Sequence, residues 1–197
     1  RYAGYKYEPG LPPTLQVKGL ECARRDYAPI TVDTQKAMLK ALVQDQDRDK
    51  AIRIVDETVQ RLFTNKIPLE KLIMSKKLSR PPSQYKSKAA HVELTKRLEK
   101  TNPEIAPVSG DRVEYIIYAG AGGISDRACT PYEIRNGQFN VDINYYLTKQ
   151  LQPPLLRILE RIVDEPGTLF KCRSILKQAG GAFQSWSSNS KRKALGY

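Results

Sequence analysis

At 197 residues and 40% hydrophobic content the chain can bury one ordinary core or a small pair, and no apolar run reaches the roughly eighteen residues that a membrane span needs. The start, RYAGYKYEPG, has no signal-peptide core, and the 3 cysteines (Cys22, Cys129, Cys172) form neither a disulfide framework nor a zinc ribbon, so a soluble, intracellular, thiol-reduced chain without a membrane partner is expected. The formal net charge of +12 is segregated: residues 66–100 hold ten Lys or Arg against three acids and residues 171–197 six against none, which favours polyanions, nucleic acid first. A solvated basic face is the competing reading.

RYAGYKY and TLQVKGLECA, separated by EPGLPP, predict a short β-hairpin. Asp33 is a candidate cap for a helix through Lys40 or beyond, with Met38, Leu39, Leu42 and Val43 on one side. After DQDRDK, the spacing of Ile52, Val55, Val59, Leu62 and Phe63 predicts a second helix that ends near Asn65. IPLEKLIMSKKLS reads as a short apolar segment running into a basic one. SRPPSQYKSK is a loop because of its two adjacent prolines, and AAHVELTKRLEK resumes helical spacing up to NPEIAP.

DRVEYIIYAG alternates and is rich in branched and aromatic residues, which predicts a strand broken by Gly120, Gly122 and Gly123. Residues 124–140 read as irregular. Asp142 is the expected cap of the helix INYYLTKQLQPPLLRILERIV, in which Pro153 and Pro154 predict a kink or a fresh start. TLFKCRSILKQAG is a last amphipathic segment, and the Ser-rich basic tail is expected to be disordered. The fold class is mainly α with a small β component, α+β.

Two tempting motifs do not hold. Asp45, Asp47, Asp49 and Asp56 fall on ligand positions of a calcium loop, but Lys50 occupies the place where the sharp turn needs glycine, and aspartate is short for the last, bidentate ligand. GAGG at residues 120–123 follows a strand, yet Ser125 stands where a third glycine would fall, and no Lys-Ser or Lys-Thr follows. His91, the only histidine, restricts histidine-dependent catalysis to one position, and a structural or phosphate-contacting role suits it better. No nucleophile or metal motif can be assembled.

What remains is basic material with aromatic company. Lys18, Arg24 and Arg25 at the hairpin and its exit, and Lys76, Lys77, Arg80, Lys86 and Lys88 around SRPPSQY, can reach phosphates from two elements. Tyr2 and Tyr85 stand beside them, and Gly19 permits close backbone approach. The alternative for VKGLECARRD is a local ionic knot in which Arg24 and Arg25 pair with Glu21 and Asp26.

Five segments in chain order resemble the family B DNA polymerases beyond their last catalytic palm motif. RYAG (residues 1–4) is similar to the end of the family's KKRYAG element, and VKGLECARRD (17–26) to its KG(I/L)E..RRD element. LSRPPSQYKSKAAHVELTKR (78–97) resembles the thumb of delta-type enzymes, AP..GDRV.Y recurs at 106–115, and INYYLTKQLQPPLLRILE (143–160) resembles the helix written YYL..QL..PLLRI. Tyr27, Ala28 and Glu114 depart from the usual residues, as in a divergent, viral branch. The opening is nearer to zeta-type sequences and the thumb to delta-type.

The resemblance implies a palm-end β-hairpin over residues 1–30, a helical thumb over 31–180 and a tail over 181–197. Arg1 and Tyr2 would lie against the primer-template minor groove, paired with the strand of Lys18 and Gly19. Arg24 and Arg25 would sit at the palm-to-thumb passage. Ser79, Arg80, Tyr85, Lys88 and His91 would line the thumb face toward the duplex, with Arg112 and Tyr115 behind or beside them. It further implies a nucleotidyltransferase acting in DNA replication or repair synthesis, in the nucleus or a viral replication compartment. Primer-template DNA and dNTPs would be its substrates, and a sliding clamp or accessory subunit its partner. Its Mg2+ and catalytic aspartates would lie outside these residues, so that the fragment grips duplex and holds no cofactor. A free-standing, sequence-independent DNA-binding module is the alternative.

Overall fold

A computed structural model describes residues 2–171. Arg1, Cys172, most of the last amphipathic segment and the basic tail lie outside the described residues. The tyrosine-rich opening forms β1 (Tyr2–Lys6), antiparallel to β2 (Thr14–Lys18), with Tyr2 opposite Lys18 and Tyr5 opposite Leu15. Pro9, Pro12 and Pro13 all fall in the connection, where a missing N–H breaks no ladder bond. Gly19 leaves β2 at φ 72°, a left-handed conformation suited to glycine, and turns the chain into a 3-10 turn at Glu21–Ala23.

Helix α1 (Pro29–Val43) starts at Pro29, so the expectation of an Asp33 cap is corrected. Proline at the first helical position gives up an N–H that no intrahelical acceptor would have used, and its fixed φ suits the turn. Asp33 lies instead on the exposed face, where Lys71 donates to it at 2.7 Å. In α2 (Arg48–Phe63) the buried stripe is Ala51, Val55, Val59 and Leu62, packed against α1. Asp47 caps this helix by accepting from the Lys50 amide at 2.7 Å, and Lys50 Nζ binds Asp45 at 2.7 Å. The acidic run is thus a helix cap with its own counter-cation.

The segment read only as apolar-to-basic contains a strand, β3 (Met74–Lys77), antiparallel to β4 (Arg112–Ile117). Four residues with two lysines carry no alternation, so the strand exists through its distant partner. The two-residue β5 (Ala128–Cys129) completes the order β3-β4-β5. Helix α3 (Ala90–Thr101) lays His91, Val92, Leu94, Thr95 and Leu98 into the core, packed on β4 and β5.

Residues 124–140 are more regular than expected. A 3-10 turn and β5 lead to α4 (Pro131–Arg135), opened by a capping box in which Thr130 and Glu133 satisfy each other's backbone amides. Asp142 caps α5 (Ile143–Tyr145) by accepting from the Tyr145 amide at 2.9 Å. A π turn (Tyr146–Leu151) then joins α5 to α6 (Gln152–Leu159), so the kink or fresh start expected at the prolines takes the form of a change of helix type just before them. Its widened register sends the Gln152 N–H to Leu147 O, and Pro153 and Pro154 follow in the first turn of α6, where proline is tolerated. The core gathers α1, α2, α3, the three-stranded sheet and the π turn with α6; Tyr146 at its centre donates to Leu72 O at 2.7 Å.

Candidate nucleic-acid interface

VKGLECARRD divides its charges between the interior and the surface. Glu21 is 4% exposed and takes Arg157 of α6 on one oxygen and Gln35 of α1 on the other, the latter at 3.2 Å. Gln35 Oε1 accepts the Cys22 amide at 2.7 Å, and its Nε2 also donates to Pro154 O at 3.3 Å. A second glutamine, Gln150, accepts the Ala28 amide at 3.2 Å. The hairpin exit is therefore bolted to both α1 and α6 by buried polar groups that satisfy one another, as burial requires.

The ionic-knot reading holds for one pair. Arg24 binds Asp26 through Nε at 3.0 Å and a terminal nitrogen at 2.7 Å, which raises its pKa, and it lies over the Tyr27 ring at 5.5 Å. Glu21 belongs to Arg157, and Arg25 is exposed with no carboxylate partner among the described residues.

The β3–β4 edge meets this exit. Arg112 donates from Nε to Ser75 Oγ at 2.9 Å and from a terminal nitrogen to Ser75 O at 2.7 Å and Arg25 O at 3.4 Å. Lys77 stands directly across the ladder from Arg112. Like charges in that position repel, and an anion laid over them relieves the repulsion. Lys18, Arg25, Lys76, Lys77, Arg80, Lys86 and Arg112 are all exposed and form no ion pair among the described residues.

Beyond β3 the loop is organised by Tyr85. Its hydroxyl accepts the Ser79 amide at 2.9 Å and lies 3.0 Å from Ser79 Oγ, and these bonds lower its pKa. The Arg80 guanidinium sits over its ring at 4.8 Å. Behind it His91 meets Tyr85 edge-on at 6.0 Å and Tyr115 at 6.4 Å, with ring planes 89° and 30° apart. Burial, with Lys76 adding, lowers the His91 pKa, and burial raises that of Tyr115. Lys88 is largely exposed and tied to Asp126 at 3.4 Å.

The predicted site residues therefore separate into groups. Tyr2 and Lys18 are cross-strand neighbours on the hairpin, with Gly19 at its end. Arg25 and Arg112 are joined by one hydrogen bond, Arg24 is held by Asp26, and Ser79, Arg80 and Tyr85 share a loop. His91, 3% exposed, is corrected from a lining residue to a backing one, and Tyr115, 8% exposed, lies behind it: their rings fill space behind the loop and do not face solvent. Arg1 lies outside the described residues. The Glu21–Gln35–Arg157 network was missed, and no local pattern announces it. The Thr130–Glu133 capping box was also missed, although TPYE carries its T-x-x-E signature.

Among the described residues no group of three or more His, Cys, Asp or Glu side chains can hold a metal ion, and no helix is long and apolar enough to cross a membrane. The Cys129 thiol is pushed up to about 12 by burial, which makes it unreactive.

Comparison with known proteins identifies the family. Residues 1–162 match DNA polymerase family B. The chain is 32% identical over 199 residues to the DNA polymerase delta catalytic subunit of Mesocricetus auratus, covering 95% of this chain and 18% of that protein. It is 39% identical over 148 residues to a DNA polymerase of Methanocaldococcus jannaschii, covering 75% of this chain and 9% of the relative. The structure of the family B DNA polymerase from Pyrobaculum calidifontis superposes with a TM-score of 0.56 at 31% identity, over 68% of this chain and 18% of the other. The chain spans less than a fifth of the length of these relatives. From the ordered motifs and these likenesses, the chain belongs to DNA polymerase family B.

Proposed function

We propose that these residues are the palm end and the thumb of a family B DNA polymerase and that they grip primer-template duplex without regard to sequence. One observation carries the reading: exposed cations without carboxylate partners run from the hairpin exit across the β3–β4 edge into the Tyr85 loop, joined where Arg112 binds the Arg25 carbonyl. Clustered Lys and Arg bind phosphates by releasing counterions, which gives affinity without base readout and suits an enzyme that copies any template.

Catalysis by the whole enzyme, with dNTPs and Mg2+, falls on this reading to residues outside the chain. Of the described carboxylates near the strip, Asp26 holds Arg24, Glu21 holds Arg157 and Asp126 holds Lys88, while Glu114 stands exposed on β4. They do not fit a metal pair, and nothing in the grip depends on one. Action in the nucleus or in a viral replication compartment follows from the same reading.

The test is the salt dependence of duplex binding by the full 197-residue chain. Arg80→Ala with Lys88→Ala should lower the slope of log K against log salt by about 1 to 2 units, since each phosphate contact contributes about 0.9, and by the same amount on unrelated sequences. An unchanged slope would refute phosphate contact there. Primer extension by this chain alone would overturn the placement of the catalytic residues elsewhere.

A further inference from the structure

We infer that Tyr85 is a positioning residue that holds the Arg80 guanidinium ready for a backbone phosphate, with His91 and Tyr115 as its rigid backing; this rests on the duplex-grip reading above. The loop needs such a device. Leu78 is fixed to the start of β4 by both backbone groups, its N–H to Asp111 O at 2.8 Å and its carbonyl from the Gly110 N–H at 2.7 Å. Immediately afterwards the chain runs out through Ser79 and Arg80, and Pro81 and Pro82 bring no amide with which to anchor it. Tyr85 closes the excursion by reaching back to the Ser79 amide at 2.9 Å and Oγ at 3.0 Å.

The ring face does the rest. Arg80 Cζ lies over it, 4.8 Å from the centroid, so the cation rests on the aromatic face while its N–H donors have no carboxylate partner among the described residues and stay open to an anion. Tyr85 cannot give way beneath it, because His91 abuts its ring and Tyr115 lies against His91, both fully in the core. A long exposed arginine ordinarily loses rotamer freedom when it binds; one already stacked has lost it beforehand. Lys88 is the contrast within the same loop region, a point charge already engaged by Asp126 and without an aromatic platform.

A double-mutant cycle on the full chain tests this, with duplex affinity and its salt slope read by fluorescence anisotropy and thermal melting as the folding control. Arg80→Ala should lower the slope by about 0.9. Tyr85→Leu should weaken binding about 2- to 10-fold, the cost of ordering one free side chain, and Tyr85→Phe by less. Both tyrosine effects should vanish in the Arg80→Ala background and persist in full in the Lys88→Ala background. Tyrosine effects equal in all backgrounds, or none, would overturn the inference and leave the grip standing. A silent Arg80→Ala would sink phosphate contact at that residue and the inference with it. If Tyr85→Leu melts below the assay temperature, the cycle with Tyr85→Phe decides by the same criteria.

Discussion

Two charge-rich regions sit side by side in this molecule and do opposite things. At the hairpin exit the buried Glu21 holds Arg157 from beneath, and the glutamines Gln35 and Gln150 complete the bonding that burial demands. Along β3 and the following loop Lys76, Lys77 and Arg80 stand in solvent without an acid. The first region is charge turned inward to lock elements together. The second is charge kept uncompensated, and Lys77 opposite Arg112 is a local repulsion that a structure built for stability alone has no reason to keep. Composition does not separate the two regions; burial and partners do.

Removing one partner of the inward pair should have the largest effect. Arg157→Ala leaves Glu21 buried with Gln35 as its remaining side-chain partner, and should cost roughly 2–3 kcal/mol, below a fully desolvated pair because Arg157 is 39% exposed. Urea unfolding measures it, and the folded variant should keep an unchanged salt slope for DNA. Loss of slope would mean that the joint also touches phosphate.

The opposite pattern is expected for Lys76→Ala with Lys77→Ala. Stability should stay within about 0.5 kcal/mol of the parent, as for ordinary surface changes, while the salt slope falls by about 1.8. A marked destabilisation would make the strip structural and erase the contrast.

His91 belongs to the second region, under the loop with Lys76 nearby. Its folded pKa is below the ordinary 6.5, so the unfolded chain binds more protons in that window. Its contribution to stability is present above pH 6.5 and is lost as pH falls from there through the folded pKa. His91→Gln should flatten that part of the stability profile in pH-dependent melting; an unaltered profile would show that other groups set it.

The smallest effects belong to exposed pairs. Arg24→Ala should cost less than about 1 kcal/mol, since Arg24 is 58% and Asp26 32% exposed. Asp126→Asn should leave stability as nearly unchanged and tighten duplex binding slightly by freeing Lys88, a change an anisotropy titration at low salt can resolve.

The sequence was most legible where structure is local. The stripe through Val55, Val59 and Leu62, the cap at Asp142 and the alternation of β4 are each set by residues within a few positions, and each formed as expected. The misreadings were of other kinds. Asp33 is a good capping residue displaced by Pro29, whose ring starts the helix earlier. β3 is defined by a partner 35 or more residues away, and MSKK carries no pattern of its own. For the site, the basic and aromatic residues were visible by type, but their exposure was not. His91 and Tyr85 sit six residues apart, one in the first turn of α3 and the other in the loop before it, and only packing puts one behind the other.

The ordered family motifs, the separation of basic from near-neutral stretches and the main helical stripes can be read from residue identity and short spacing alone. Long-range packing sets the rest: Glu21 is held from α1 and α6, Arg112 connects Arg25 to the β3 edge, and Arg80 rests on a backed tyrosine. The free energy of a charge depends on the water it loses and the partner it gains, and both are supplied by residues up to 136 positions away.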